Sequence, residues 1–357
     1  MVLKSFLNVY SEVRMKVVHI ESGLGNQMLS YAEYLVIKKL NPNDECYIET
    51  MIYDIPECNE VICQWNGYEL ERIFGIHAPN IRDKFDEVQW TNIMDDLRKS
   101  EFWKHDWNYA PVITEALNRQ GLNLINYRGE AVEYIPKRHI WSDLMDSRIG
   151  YDIKRWTRPL YQDSYRKKMD CSSKIFIQTD EDVFTGQQLG LRNYGANIDF
   201  VKAEILQAFQ FPELKEKNNL EILNKIQNCN SVAIHARRGD MLQSNGYCYK
   251  YGYFKRATKY IRKHVENPVF FFFCDTESID WCKANEKIFG LNFKKDTVYF
   301  VDWNRGKDSY IDMQLMGKCK HNIITNSSFG WWGAYFNQNP DKITCSPNVW
   351  INTTVSL

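Results

Sequence analysis

Short apolar runs alternate with helical patterns throughout the second half of this sequence. The runs that predict strands are residues 231–234, 268–274, 297–301 and 322–325, and the patterns that predict helices are residues 253–265, 279–289, 311–319 and 331–336. Such alternation is typical of an α/β fold with a parallel sheet, because a helix has to return the chain to the start of each new strand. Ligand-binding groups are then expected at the carboxyl ends of the strands.

The length of the chain predicts two domains. Its 357 residues exceed the size at which a single hydrophobic core usually stops growing, and two packed domains leave a cleft between them. In the first half, a predicted strand at residues 16–20 is followed by a glycine-rich turn and a predicted helix at residues 27–40. We expect an N-terminal domain over residues 15–200 and a C-terminal domain over residues 201–357.

Composition argues against several classes of function. The 45 Lys and Arg residues balance the 45 Asp and Glu residues, so no large positive field exists to hold nucleic acid. The longest apolar run, residues 268–274, is far shorter than the roughly 20 residues that span a bilayer, and the N-terminus lacks a signal-peptide pattern. Ten cysteines form no C-x-x-C zinc motif, which favours reduced thiols in a cytosolic protein over disulfides in a secreted one.

The first candidate site directly follows the predicted strand at residues 231–234, in the sequence His235-Ala-Arg237-Arg238-Gly-Asp240. Side chains alternate along a strand, so His235 and Arg237 face one side and Arg238 the other. An arginine fork matches phosphate oxygens, a neighbouring histidine can hydrogen-bond phosphate, and Asp240 can orient an arginine. A salt-bridged strand end is the alternative. The position at the mouth of a parallel strand favours diphosphate binding.

A second candidate site, Asn326-Ser327-Ser328-Phe329, follows the predicted strand at residues 322–325. Small hydroxyl residues and glycine at a strand-to-helix turn leave backbone N–H groups pointing at any anion bound at the helix N-terminus. The alternative is that Ser327 or Ser328 simply caps the helix, and the two roles are compatible.

Two aspartates are candidates for binding a nucleobase. Asp312 lies near the start of a predicted helix, and a carboxylate there can accept two N–H bonds from the edge of guanine. Asp275, directly after the predicted strand at residues 268–274, is a weaker candidate for the same pocket. The alternative for Asp312 is an ordinary aspartate in the first turn of a helix.

The glycine-rich turn of the first half reads Gly23-Leu-Gly25-Asn26-Gln27. After a strand, such a turn lets the backbone approach a ligand closely. It lacks the third glycine of the dinucleotide fingerprint, which disfavours a dinucleotide oxidoreductase. A tight strand-to-helix connection without a ligand is the alternative.

The acidic triplet Asp180-Glu181-Asp182 points to a competing mechanism. It has the D-x-D spacing by which many transferases hold Mn²⁺ or Mg²⁺ on a nucleotide diphosphate. An ordinary solvated acidic loop is the alternative. A transferase for another nucleotide sugar, using Asp180 and Asp182 to hold a divalent metal, is therefore a competing function, and a nucleotide- or glycan-binding protein without catalysis is another.

Three motifs together resemble glycosyltransferase family 11, the α-1,2-fucosyltransferases, and its bacterial members in particular. The family's G-G-L-G-N-Q-M-F-Q-Y-A resembles residues 22–32, with Ser22 in place of the first glycine and Leu-Ser in place of Phe-Gln. Its H-x-R-R-G-D matches residues 235–240 and its N-S-S-F-x-W-W-G-A matches residues 326–334, both without mismatch.

The resemblance implies a GT-B type fold, in which two Rossmann-like domains face a central cleft. It implies inverting transfer of L-fucose from GDP-fucose, held by the C-terminal domain, to the 2-hydroxyl of a terminal β-galactose, without a metal or other cofactor. By similarity, His235 and Arg237 hold the diphosphate. Asp312 and Ser328 contact guanosine or phosphate, and Asn26 reaches the glycosidic region from the N-terminal side.

The resemblance also leaves roles to assign. An arginine at the β-phosphate would stabilise the negative charge that develops as GDP leaves, which is work that a metal does elsewhere. Spacing does not identify the catalytic base, and Glu21 and Asp240 are the acidic residues nearest the motifs. Similarity to bacterial members implies a cytoplasmic protein, at most peripherally associated with the inner face of the membrane.

Overall fold

Two parallel β-sheets form the framework of the protein. The computed structural model describes residues 14–61, 66–104, 109–126, 144, 147–160, 181–185, 195–348 and 352–357. In these residues the first sheet has three strands, β1 (Met15–His19), β2 (Glu45–Glu49) and β3 (Val183–Thr185), in the order β2-β1-β3. Both outer strands run parallel to β1.

Helices cover both faces of the first sheet. They are α1 (Leu24–Leu40), α2 (Leu70–Phe74), α3 (Glu87–Ser100) and α4 (Ala110–Arg119), followed along the chain by α5 over residues 148–160. Because side chains alternate along a strand, Val18 packs in the cluster that contains α1, while Val17 packs in the cluster that contains α3 and α4. The first strand is therefore buried from both sides.

The second sheet has six parallel strands in the order β6-β5-β4-β7-β8-β9. They are β4 (Asn230–Ala236), β5 (Pro268–Cys274), β6 (Val298–Val301), β7 (His321–Ile323), β8 (Thr344–Ser346) and β9 (Val355–Ser356). This is the doubly wound order of a dinucleotide-binding fold, and its direction reverses between β4 and β7. Ligands of such sheets bind outside the carboxyl ends of the strands at that point.

The helices of the second half begin before this sheet and alternate with its strands. They are α6 (Gly195–Phe200), α7 (Lys202–Ala208), α8 (Lys217–Gln227), α9 (Leu242–Lys250), α10 (Tyr253–His264), α11 (Ile279–Ala284), α12 (Tyr310–Lys318) and α13 (Ser328–Tyr335). The predicted α/β class and the two-sheet arrangement, which the resemblance described as GT-B type, are confirmed.

An apolar cluster joins the two sheet systems. Helix α1 packs against α13, and the ring of Phe209 lies 5.4 Å from the ring of Trp332 and 5.8 Å from the ring of Tyr31. Met28 and Trp332 are both fully buried in the same cluster. A continuous apolar interface of this kind holds two units in one arrangement, whereas small polar interfaces allow them to move.

The proposed division at residues 200 and 201 remains a prediction. Helix α5, which it assigns to the first domain, contacts the second half of the chain, because the Tyr151 hydroxyl donates to the carbonyl of Leu357 at 3.1 Å. None of the described helices has the length and apolar composition needed to cross a membrane. The cysteines within the described ranges are free thiols.

Candidate nucleotide-binding site

The two candidate motifs of the second half meet at the reversal point of the second sheet. His235 lies at the carboxyl end of β4, one residue before its last. Its Nδ1 is 3.5 Å from the hydroxyl of Thr325, which follows β7. The ring of Phe329 stacks on the His235 ring at 5.8 Å. A Cβ on Gly330 would overlap the same ring, so only glycine fits there. The sequence-predicted convergence of these segments is what the fold produces.

His235 is buried under the start of α13, with only 4 % of its surface exposed. Burial and the positive charge of Arg237, against an opposing effect of Asp275, lower the pKa of its imidazole to about 3. The ring is therefore neutral at physiological pH, with one N–H donor and one acceptor nitrogen. A direct contact between His235 and a diphosphate stays a prediction.

The two arginines directly follow Ala236, the last residue of β4. The guanidinium of Arg238 lies 3.4 Å from the ring centre of Trp281 and 5.0 Å from that of Tyr249, a cation–π stack. The positive charge of Arg237 lowers the pKa of both His235 and Asp275. That the two arginines face opposite sides stays a prediction.

Asp275 holds the backbone of the arginine loop. One carboxylate oxygen accepts the backbone N–H of Arg238 at 2.9 Å, and the other accepts the Ser278 hydroxyl at 2.5 Å. Burial alone would raise the pKa of Asp275, but these hydrogen bonds and the charge of Arg237 outweigh it and lower the pKa. The sequence assigned Asp275 to the nucleobase pocket, whereas its carboxylate is engaged by the loop. The side chain of Asp240 lies outside the described residues.

Asp312 is a buried carboxyl at the start of α12. It accepts the side-chain N–H of Asn304 at 2.8 Å, and Asn304 in turn bonds the amide of Asn219. Burial raises the pKa of Asp312 to about 8, with Asp302 adding to the effect and the Asn304 hydrogen bond opposing it. A helix-capping aspartate on the surface would keep a normal pKa, so this carboxyl differs from the ordinary first-turn aspartate considered above.

The start of α13 contacts the first half of the protein. Ser328 donates from its hydroxyl to the side-chain oxygen of Asn26 at 2.8 Å, and the indole N–H of Trp332 donates to the Gly25 carbonyl at 3.0 Å. Ser327 occupies the N-cap position without a side-chain cap hydrogen bond. Asn326 donates its backbone N–H to the side chain of Asn245 at 3.0 Å.

The glycine-rich turn is shaped by this contact. A Cβ on Gly25 would lie 2.7 Å from the backbone nitrogen of Phe329, so the loops can approach only with glycine there. Gly25 lies in the first turn of α1, which begins at Leu24 rather than at residue 27 as predicted, and Gly23 is its N-cap. Ser22 has a φ of 66°, which explains why glycine suits this position in the motif.

Gln27 was predicted to approach the donor, but the protein itself uses its amide. Its nitrogen donates to the carbonyls of Ser22 at 2.9 Å and Gly67 at 2.8 Å, and its oxygen accepts the N–H of Glu69 at 2.8 Å. The side chain is fully buried. Gln27 therefore braces the turn, and the neighbouring Asn66 donates to the carbonyl of Gly306 at 3.0 Å in the second half.

The sequence interpretation missed a buried acid–histidine–acid group at the end of β1. His19 donates from Nδ1 to Glu49, and its Nε2 lies 3.4 Å from a carboxylate oxygen of Glu21. Burial lowers the pKa of His19, but the charge of Glu49 and bonds to both carboxylates outweigh it and raise the pKa to about 10. Polar residues two apart at the end of an apolar strand were the available signal.

The acidic triplet has a structural role at Asp182. Its carboxylate accepts from Arg14 at 2.8 Å, from Lys16 at 2.9 Å and from the backbone N–H of Ile125 at 2.7 Å. These contacts occupy the oxygens that a metal would need. Asp180 lies outside the described residues, and no group of three or more metal-binding side chains occurs among those described.

A doubly wound sheet with arginines directly after a strand at its reversal point is typical of nucleotide-binding α/β folds. Residues 188–355 match the family model described as glycosyl transferase family 11. This match over the second half of the chain confirms the resemblance to the family seen in the motifs.

Three curated relatives agree with this assignment. The chain is 36% identical over 163 residues to the O-antigen biosynthesis glycosyltransferase WbnK of Escherichia coli, covering 43% of this chain and 51% of that protein. It is 36% identical over 137 residues to an alpha-1,2-colitosyltransferase of Escherichia coli, covering 36% and 44%. It is 31% identical over 109 residues to galactoside alpha-(1,2)-fucosyltransferase 1 of Aotus azarae, covering 29% and 28%. The chain thus spans about half the length of these relatives or less.

Proposed function

We propose that this protein transfers L-fucose from GDP-fucose to the 2-hydroxyl of a terminal β-galactose. The family match and the names of the relatives support a glycosyltransferase that forms α-1,2 linkages. The observation that carries the proposal is that the end of β4, directly before Arg237, meets the segment that precedes α13 at the reversal point of the second sheet, through His235 and Thr325.

Arg237 is proposed to stabilise the leaving diphosphate. As the bond between fucose and GDP breaks, negative charge accumulates on the β-phosphate, and a preorganised guanidinium stabilises that charge more in the transition state than in the ground state. Because His235 is neutral, its one N–H can donate a hydrogen bond to the diphosphate without adding a second positive charge beside Arg237. This arrangement provides electrostatic stabilisation without requiring a metal ion, and we propose inversion at the anomeric carbon.

The guanine ring is proposed to bind at Asp312. An ionised carboxylate accepts the two N–H groups on the edge of guanine, which adenine does not present. The network of Asn304 and Asn219 fixes the orientation of the carboxylate from behind. Guanine would give the buried carboxylate of Asp312 two charge-assisted hydrogen bonds in place of the hydration that burial removes.

The acceptor is proposed to bind on the side of the first sheet, near Asn26. Glu21, one of the two acidic residues nearest the motifs, is buried and directed at His19, so it does not lie open to an acceptor hydroxyl. We therefore assign no catalytic base. Cytoplasmic location at the inner face of the membrane also stays a prediction.

Product formation with defined acceptors tests the proposal. The purified protein is incubated with GDP-fucose and galactose, lactose or N-acetyllactosamine, with and without EDTA, and the linkage of any product is determined. Transfer to the 2-hydroxyl that is insensitive to EDTA is expected. Loss of activity in EDTA, or activity with another nucleotide sugar alone, would support the competing metal-dependent function. Because one relative is an alpha-1,2-colitosyltransferase, the corresponding colitose donor is included as a second candidate substrate.

A further inference from the structure

One face of helix α5 is fixed to the second half of the described chain. The hydroxyl of Tyr151 donates to the carbonyl of Leu357 and accepts from Arg256 at 2.9 Å. Arg158 donates to the hydroxyl of Ser356 in β9. Both anchoring side chains are buried, and they lie seven residues apart, two turns along the same face.

The opposite face of α5 carries a stripe of exposed apolar side chains. Ile149 is 66% exposed, Ile153 45%, Trp156 68% and Leu160 83%. Their spacing of four, three and four residues places them within an arc of about 60° on an α-helix, directly opposite Tyr151. Single exposed apolar residues are ordinary on a protein surface, but four on one helix face mark a site of interaction.

Basic side chains border the stripe. Arg148 is exposed, and Lys154 and Arg155 are partly exposed on the flanks of the helix. The one acidic residue of the helix, Asp152, is bonded to Arg155 at 3.4 Å. If two copies of this chain paired through the stripe, their like-charged flanks would be brought together, whereas anionic headgroups would neutralise them.

We propose that the α5 stripe, formed by Ile149, Ile153, Trp156 and Leu160, docks this protein on an anionic lipid surface. A helix with basic residues on its polar side and Trp, Ile and Leu on the other lies in the plane of the membrane, with the apolar face at the boundary between headgroups and acyl chains. The indole of Trp156 suits that boundary, because it is apolar with one polar N–H. The proposal is independent of the transferase activity.

Vesicle sedimentation with the full chain tests the proposal. Vesicles of phosphatidylcholine alone are compared with vesicles that also contain phosphatidylglycerol, at low and high salt. We expect binding to the anionic vesicles that weakens as salt rises, and a loss of about tenfold or more in partitioning for the double variant Ile153→Ser with Trp156→Ser. The matched control is Val88→Ser, which removes an isolated apolar side chain that is 71% exposed in α3 and should bind as the wild type does.

Three results would overturn the proposal. The wild type could fail to bind anionic vesicles, or the double variant could bind as well as the wild type. Light scattering could instead show a wild-type dimer that the double variant converts to a monomer, which would assign the stripe to pairing between copies. Circular dichroism and thermal unfolding of each variant confirm that the fold is retained and keep this test separate from that of the transferase activity.

Discussion

The hydroxyl of Ser328 donates to the side-chain oxygen of Asn26 at 2.8 Å and so joins the first turns of α13 and α1, which are 302 residues apart in the sequence. These helices follow β7 and β1, one from each sheet. The predicted acceptor-side motif and the predicted donor-side motif therefore lie against each other. Contact between backbones, rather than between long side chains, sets their separation, because Gly25 lies against the first turn of α13.

We predict that Gly25→Ala destabilises the protein and weakens the site. The added Cβ would meet the backbone nitrogen of Phe329 at 2.7 Å, and the backbone cannot move aside as a flexible side chain can. The expected loss in the free energy of unfolding, measured by urea titration, is about 1–3 kcal/mol. The control is Gly246→Ala in α9, where nothing lies within 4 Å of the new Cβ and helix propensity favours alanine. Equal stability of Gly25→Ala and Gly246→Ala would refute the steric account.

We predict that GDP affinity depends on the ionisation of Asp312. The carboxyl must be ionised to accept two N–H bonds, and burial raises its pKa to about 8. Affinity should therefore rise between about pH 6.5 and pH 8.5 and level off above, because binding at lower pH first has to remove a proton. Calorimetric titration across this range measures the effect. In Asp312→Asn the affinity should be lower and the dependence absent; an unchanged pH profile would remove Asp312 from the guanine site.

We predict that the buried pair of His19 and Glu49 stabilises the protein at neutral pH and that this stabilisation is lost in alkali. The folded-state pKa of His19, at about 10, lies above its unfolded value, so the stabilisation is complete below about pH 6.5 and is lost as pH rises through 10. Glu49→Gln keeps the acceptor for the N–H of Met51 but removes the charge. It should lower the free energy of unfolding by about 3–5 kcal/mol at pH 7 and flatten its fall toward pH 10.

Urea unfolding at pH 7 and pH 10 compares wild type and Glu49→Gln. The difference in the free energy of unfolding between the two proteins should shrink at pH 10. There His19 loses its proton in the wild type, and with it the charge attraction to Glu49 that the variant lacks at every pH. Asp312 also titrates at alkaline pH, so the comparison between proteins, and not the wild-type slope alone, tests the pair. A difference that stays constant with pH would mean that His19 is not protonated in the folded protein.

The sequence predicted β4, β5 and β6 of the second sheet well, because apolar side chains make up most of each strand. Strand β5 has the predicted bounds, and β4 extends the predicted strand at both ends. Strands β8 and β9 were missed because they have three and two residues and carry polar side chains.

The sequence predicts where a side chain of the site points only where the backbone conformation fixes the direction of that side chain. Alternation along β4 predicts that Arg237 and Arg238 diverge, which stays a prediction because β4 ends at Ala236. The sequence could not show that Arg238 stacks on Trp281, because Trp281 lies in α11, the helix that follows the next strand, β5. Gln27 and Asp275 illustrate the same limit, since their partners are backbone groups of loops distant in sequence.

Calorimetric titration of GDP into Arg237→Ala and Arg238→Ala tests most directly the claim that a diphosphate binds at the reversal point of the second sheet. The two variants remove the same charge from neighbouring positions. Loss of a charge-assisted hydrogen bond should weaken GDP binding by about 10- to 100-fold in Arg237→Ala, with the unfolding temperature little changed. Arg238→Ala should bind within about threefold of the wild type, because its guanidinium stacks on Trp281. Equal effects of the two substitutions, or wild-type affinity in Arg237→Ala, would contradict the account.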